Sequence, residues 1–197
     1  TDRGAISEVP TVDNGNSLYH TIGLGAMGLH TVLALNSIDY ESDEALEFVD
    51  AFFLAMNYYS LKASHQIAIE KNETFHNFEY SRYADGSYFD YYLAKEFHFT
   101  SEKVAKIFEN ILLPTIEDWQ LLKENVMKDG LYHRNRLAIA PNGSISYINE
   151  TSASLHPITQ LIENRQEKKV GSIFYPAPYL SNKTLRYYKT AYNMDQR

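Results

Sequence analysis

Cysteine is absent from the 197 residues, which excludes disulfides, thiolate metal sites and cysteine nucleophiles together. Positive charge is scarce. Lys and Arg number 18 against 25 Asp and Glu, the net charge is −7, and no basic cluster exceeds Lys168-Lys169. Nucleic acid and anionic membranes are therefore not expected partners. No apolar run approaches the length of a membrane span and no signal peptide is recognisable, so a cytoplasmic location is expected. The histidines include no H-x-x-x-H or H-E-x-x-H pair, and His76 and His98 do not make a metal spacing, so no metal is expected. Internal repeats and low-complexity segments are missing too.

What is present fits a globular protein. Hydrophobic residues at 44% and charged residues at 22% are ordinary values. The length suffices for one sizeable domain or two small ones. The 16 Tyr and 10 Phe suit packed helices whose polar tips reach the rim. The chain opens on Thr1 rather than Met, which reads as a piece of a longer polypeptide.

One stretch organises the rest: Arg136-Leu-Ala-Ile-Ala140-Pro141-Asn142-Gly143-Ser144-Ile145-Ser146. Residues 136–140 form a short, mostly apolar run that predicts a buried strand. Pro141 ends it, Asn142 and Gly143 form a turn, and Ser144 or Ser146 is placed to cap a helix. A strand entering a helix N-terminus through such a turn leaves backbone N–H groups pointing one way, with the helix dipole behind them. That is an anion site, usually for phosphate. Pro141 has no N–H, so the donors would be the amides of Asn142 to Ile145, beside the hydroxyls of Ser144 and Ser146. From spacing alone the favoured reading is plainer: Pro-Asn-Gly-Ser is a tight turn.

Around this stretch, residues Thr1–Asn16 lack periodicity and read as a linker or a severed edge. Ser17–Asn36 has apolar residues at helix-compatible spacings and contains Gly23-Leu-Gly25-Ala-Met-Gly28, a literal G-x-G-x-x-G. A dinucleotide fingerprint needs a second buried strand after the helix. The polar Asn36–Asp43 does not supply one, so a helix with small residues at a close approach is expected instead. Asp43–Lys71 predicts a long helix capped by Ser42, with Asn72 as its C′ residue and Leu46, Val49, Phe53, Met56, Leu61 and Ile67 on its apolar face. His65 on it reads as a surface or packing residue. Glu73–Lys95 predicts short helices or a surface excursion. Further helices follow from Ser101 to Asn110 and from Thr115, where Thr115 and Asp118 make a capping box, to a stop at Gly130. Strands are expected over 158–162 and 170–175, separated by a charged turn, with a final helix over Asn182–Tyr192. The whole predicts an α/β piece, helix-rich first and then with a few strands, too few to close a sheet alone.

Several stretches together resemble one family, the large catalytic (alpha) subunit of class Ib ribonucleotide reductase, a ribonucleoside-diphosphate reductase. They are Ile22-Gly-Leu-Gly-Ala-Met-Gly-Leu-His30, Thr74-Phe-His-Asn-Phe-Glu79 with Tyr83-Ala-Asp-Gly86, Gly130-Leu-Tyr-His133, and Leu137-Ala-Ile-Ala-Pro-Asn-Gly-Ser-Ile-Ser-Tyr147 continuing to Ser154-Leu-His-Pro157. The resemblance covers nearly all of this chain but only an interior minority of the family's length. It implies a single partial domain over residues 1–197, a share in a ten-stranded α/β barrel that reduces ribonucleoside diphosphates to 2′-deoxyribonucleoside diphosphates for DNA synthesis. It also implies that Pro141, Asn142, Gly143, Ser144 and Ile145 hold the substrate diphosphate, which displaces the tight-turn reading, and that the G-x-G-x-x-G is a packed helix. The family commonly has Thr at the position of Asn142, whose amide can still donate.

The catalytic cysteines and the Asn-Leu-Cys-x-Glu loop of the family would lie before Thr1, and its radical-relaying tyrosine pair beyond Arg197. Tyr187-Tyr188 matches a helix upstream of that pair. No catalytic residue is therefore expected in this chain, and none of the cofactors. The complete enzyme would use a dimetal-tyrosyl radical in a small (beta) subunit and a thioredoxin-like or glutaredoxin-like reductant, with the remainder of the large subunit as a further partner. Two other readings remain beside it. One is a non-catalytic stand-alone binding or scaffold module from a split or decayed reductase. The other is a nicotinamide-binding oxidoreductase built on Gly23–Gly28.

Overall fold

A computed structural model describes residues 8–167, 171–177 and 179–195. The first seven residues of the expected linker and the Lys168-Lys169 pair lie outside them. The chain divides into two compact units: Thr1–Leu24 with Val49–Ala138, and Gly25–Phe48 with Ile139–Arg197.

The first unit is built from helices around an aromatic core. Helix α1, Pro10–Tyr19, takes in residues 10–16 of the stretch read as a linker. Asn14 and Gly15 hide its periodicity, but Pro10 starts it with φ already near the helical value. The long helix, α3 (Asp43–Lys71; α2 is described below), has the predicted bounds. Ser42 Oγ accepts the Ala45 N–H at 3.2 Å, and Asn72 leaves the helix at φ 52°. Its buried stripe agrees with the expected face at Leu61 and adds Phe48, Tyr58, Ala45, Ala51, Ala55 and Ala68, whereas Leu46 is 65% exposed. Alanines let a neighbouring backbone approach, and counting large residues alone misses them.

Phe78–Tyr80 and Ser87–Phe89 are 3-10 turns and Asp90–Leu93 is a short helix, α4. These are the short helices expected, but they are no surface excursion. Phe75 and Phe89 join Tyr58, Leu61, Trp119, Leu122, Val126 and Leu131 in the core, and Tyr83, Tyr88 and Tyr92 pack against it. Tyr92 stacks on Trp119 with ring centroids 4.1 Å apart. Helix α5, Glu102–Ile107, is capped by Ser101. Helix α6, Ile116–Asp129, has the predicted capping box, buries Trp119, Leu122 and Val126, and ends at Gly130. There φ is +82°, and a Cβ would meet Thr74 Cγ2 at 2.3 Å.

Residues 136–140 do not form the buried strand expected. Leu24 makes one isolated parallel bridge with Leu137, through Leu24 N–H to Arg136 O at 2.8 Å and Ala138 N–H to Leu24 O at 3.0 Å. Ile139 is 68% exposed, because a parallel strand is buried only when covered on both faces. The same bridge corrects the expectation for G-x-G-x-x-G. Gly23 to Met27 is not helical, although the close approach is real, with a Cβ on Gly23 lying 3.0 Å from Ala138 Cβ. The next helix runs through a turn directly into α3, so the second strand of a nicotinamide fold is missing there.

The second unit holds α2 (Leu29–Leu35), α7 (Gly143–Ile148) and an antiparallel hairpin of β1 (Ile162–Glu167) and β2 (Gly171–Pro176). The hairpin register pairs Asn164 with Phe174. Strand β1 starts at the end of the expected 158–162 strand and takes in most of the expected charged turn, since pairing in a two-stranded ribbon tolerates polar residues on both faces. Ala34, Ile158 and Tyr188 form a small core, with Tyr179 and Leu180 against it. The helix expected over Asn182–Tyr192 is two 3-10 turns, Leu185–Tyr187 and Ala191–Asn193. Thr184 Oγ1 accepts the Ser181 N–H at 3.3 Å, a local bond that competes with helix.

Among the described residues the β structure is this hairpin and the single bridge, and a closed barrel is not part of it. No helix of these residues is long and apolar enough to cross a membrane, and no group of three or more acidic, His or Cys side chains is placed to hold a metal ion.

Candidate functional site

The loop 141–145 belongs to the second unit, and its shape follows from its residues. Pro141 has no N–H and stops the extended run. Asn142 turns the chain at φ 50° and ψ 33°, a left-handed conformation that Asn accepts more readily than most residues. It is the N-cap of α7 but makes no side-chain cap bond. Neither serine caps the helix as expected. Ser146 Oγ turns back to donate to Gly143 O at 2.7 Å, and the Ser146 N–H is taken by Asn142 O at 3.1 Å. The amides of Gly143, Ser144 and Ile145 are first-turn donors for which the helix has no acceptor. The N–H of Asn142, the N-cap, likewise has no acceptor within the helix, so all four expected backbone donors are left over by the helix geometry. Gly143, Ser144 and Ile145 are exposed, and a Cβ on Gly143 would meet nothing within 4 Å. A cavity of about 120 Å³ lies beside them, lined by Gly143, Ser146, Tyr147, Thr151, His156 and Tyr179 among others.

Three polar residues unrecognised in the sequence hold the chain that follows α7. Gly28, N-cap of α2 at φ +82°, donates its N–H to Ser154 O at 3.0 Å. A Cβ on Gly28 would sit 2.3 Å from Thr151 Oγ1. Thr31 and Ser152 bond each other twice: Thr31 N–H to Ser152 Oγ at 3.2 Å and Ser152 N–H to Thr31 Oγ1 at 2.8 Å. His30 is fully buried. Its Nδ1 accepts the Ile158 N–H at 3.1 Å, so Nε2 carries the proton and donates to Tyr187 O at 3.0 Å. Burial lowers the His30 pKa from its ordinary value, and the bond to Tyr187 opposes this in part. Tyr40 Oη donates to Leu155 O at 2.8 Å. The signal in the sequence was polar His and Thr inside the otherwise apolar Leu-His-Thr-Val-Leu-Ala-Leu of α2.

Arg136, which opens the organising stretch, belongs to the first unit and is 5% exposed. Its Nη1 donates to Ser60 Oγ at 2.6 Å and to Asn57 Oδ1 at 3.3 Å, and its Nη2 to Asn57 Oδ1 and Tyr83 Oη, each at 3.3 Å.

Comparison with known proteins adds a consistent finding. A family model described as "Ribonucleotide reductase, barrel domain" matches residues 3–197. The ribonucleoside-diphosphate reductase subunit alpha of Bacillus subtilis is 46% identical over 190 residues, covering 96% of this chain and 27% of that protein. The corresponding protein of Mycoplasma pneumoniae is 42% identical over 189 residues, covering 93% of this chain and 26% of that one. A subunit alpha of Bacillus phage SPbeta is 45% identical over 195 residues, which are 99% of this chain and 18% of that protein. The chain thus spans about a quarter or less of the length of these curated relatives.

Proposed function

We propose, from the premise that this chain belongs to the ribonucleotide reductase barrel-domain family, that it forms part of a class Ib ribonucleoside-diphosphate reductase large subunit. Its loop Pro141, Asn142, Gly143, Ser144 and Ile145 holds the diphosphate of the ribonucleotide substrate. The observation that carries this reading is the left-handed turn at Asn142, which opens onto three first-turn amides with no side chain over Gly143. Each hydrogen bond from such an amide to a phosphate oxygen is worth roughly 1.5–3 kcal/mol. The amides of Gly143, Ser144 and Ile145 bind and orient the diphosphate without a cation, and the bonds from α2 fix the chain behind them.

The reduction at the ribose draws on groups outside these residues. With no cysteine in the chain, the thiyl radical and the redox thiols of such reductases come from the remainder of the large subunit. A small (beta) subunit with a dimetal-tyrosyl radical supplies the radical, and a thioredoxin-like or glutaredoxin-like protein supplies the electrons, in the cytoplasm.

Gly143→Asp tests the loop. The added Cβ meets nothing in the chain, so the fold is kept, while the carboxylate faces the phosphate. In the assembled enzyme the variant is expected to lose binding of the ribonucleoside diphosphate by about a hundredfold, as three charge-assisted bonds are disturbed together. Unchanged substrate binding would overturn the assignment.

A further inference from the structure

The first unit contains a larger cavity, about 520 Å³, lined by Ile22, Gly23, Tyr83, Tyr88, Arg134 and Arg136 among others. That volume is in the range of small-molecule sites. Its most unusual feature is the charge of Arg136. Arg136 is buried, yet each of its hydrogen-bond partners is neutral: the carbonyl and Oδ1 of Asn57, Ser60 Oγ and Tyr83 Oη. Among the described residues no carboxylate lies within 4.0 Å of it. Its fifth donor, Nε, is buried without an acceptor.

Buried charges in proteins are ordinarily paired, and buried polar atoms ordinarily bonded. Arg136 breaks both rules at the wall of a cavity. The Nη hydrogens are taken up by Asn57, Ser60 and Tyr83, which fixes the plane of the guanidinium and leaves its charge without a counter-ion among the described residues. Tyr88 Oη donates to Asn57 Oδ1 at 3.1 Å, and Asn57 Nδ2 donates to Tyr92 Oη at 2.9 Å, so Asn57 is itself held from both sides. A second cation, Arg134, lines the same cavity with its guanidinium 4.7 Å from the Tyr19 ring centroid. Two cations, one of them preorganised and unpaired, point to an anion.

We propose that this cavity is a binding site for an oxyanion, a carboxylate or phosphate group on a small molecule, held by the charges of Arg136 and Arg134. The site uses none of the loop 141–145, and it goes beyond the reading of that loop.

The test is thermal unfolding of the polypeptide as it is made in the cell, titrated at constant ionic strength with sodium phosphate, sodium acetate or sodium chloride. Phosphate or acetate is expected to raise the Tm in a saturable way, and chloride is not. Whichever oxyanion acts at lower concentration identifies the ligand class. In Arg136→Gln the concentration needed should rise roughly tenfold or more, as the unpaired buried cation is lost. In Arg134→Gln, which leaves the buried network untouched, it should rise by less. Gly143→Asp, in which the loop 141–145 no longer takes the anion, should keep a saturable response that the arginine substitutions weaken in that background as well. Equal responses to chloride, or a response of Gly143→Asp that neither arginine substitution changes, would overturn the proposal. A response lost in Gly143→Asp and kept in the arginine variants would assign the anion to the loop instead, so the two readings fail separately.

Discussion

The two units are held by different means. The first has an apolar, aromatic centre in which Tyr58, Phe75, Phe89 and Trp119 pack with Leu61, Leu122, Val126 and Leu131. The second buries Leu33, Ala34, Ile38, Ile158 and Tyr188, and the chain after α7 is held there by bonds among buried polar residues, His30, Thr31 and Ser152. Apolar burial is non-directional and scales with area. A buried hydrogen bond adds little net energy, but losing one partner exposes the full desolvation cost of the other. A core of the first kind resists change by degrees. One of the second kind specifies a geometry and gives way at single positions. The candidate diphosphate loop is carried by the second kind, where a few bonds from α2 decide its shape.

The widest separation between the units comes from deleting apolar mass. Phe89 is fully buried, and Phe89→Ala should destabilise the first unit by about 3–5 kcal/mol, the usual cost for a buried aromatic. Trp119 is the one tryptophan of the chain and lies in that core, so its fluorescence reports the first unit directly. The Trp119 transition in urea should move sharply to lower denaturant. Amide exchange in the loop after α7 should change much less, and equal changes in both would mean that the units do not differ as described.

Gly28→Ala should do the reverse, with a smaller effect. At φ +82° the new Cβ meets Thr151 Oγ1 at 2.3 Å, and a side chain in the left-handed region costs about 1–2 kcal/mol before any clash. Amides from 151 to 158 should exchange faster while the Trp119 transition stays in place. An unaltered exchange pattern would show that α2 does not hold this segment. Thr115→Ala should have a smaller effect still. It removes one half of the α6 capping box, worth about 1 kcal/mol. That loss should appear at Trp119, which sits four residues on in the same helix, and not in exchange after α7.

The same division governs what could be read from the chain. The bounds of α3, the cap at Ser101, the box at Thr115 and Asp118, and the stop at Gly130 were legible because each rests on neighbours in sequence. The buried face of α3 was legible only in part: Leu61 lies on it as expected, but its alanines leave no mark among the large residues and Leu46 lies off it. Gly23–Gly28 was legible as a close approach but not as non-helical chain, because the bridge partner of Leu24, Leu137, lies more than a hundred residues away. In the second unit the strand over 158–162 and the helix over Asn182–Tyr192 were misplaced. Polar pairing and local hydroxyl bonds decide those segments, and neither leaves an apolar period. The loop was legible as a turn with donors, but which donors remain was not: the return of Ser146 Oγ to Gly143 O is a three-dimensional fact.

The smallest effect, absent at neutral pH, is the one that only the second unit should show. His30 is neutral in the fold, with its proton on Nε2 toward Tyr187 O and its Nδ1 lone pair toward the Ile158 N–H. A second proton would sit on Nδ1 and face that N–H, donor against donor. Desolvation lowers the folded pKa below the ordinary 6.5 despite the opposing bond to Tyr187. As pH falls through 6.5 the unfolded chain takes up a proton that the folded chain refuses, so the unfolded state is favoured. The contribution of His30 is therefore fully present above pH 6.5. It is lost progressively below that value, until the lower folded pKa is passed. Exchange of the Ile158 amide, corrected for its intrinsic pH dependence, should speed up on acidification, and this dependence should vanish in His30→Gln. Glutamine offers one acceptor and one donor and does not titrate. If Ile158 stays equally protected as pH falls, or if His30→Gln retains the pH dependence, then His30 is not the group that ties the second unit together.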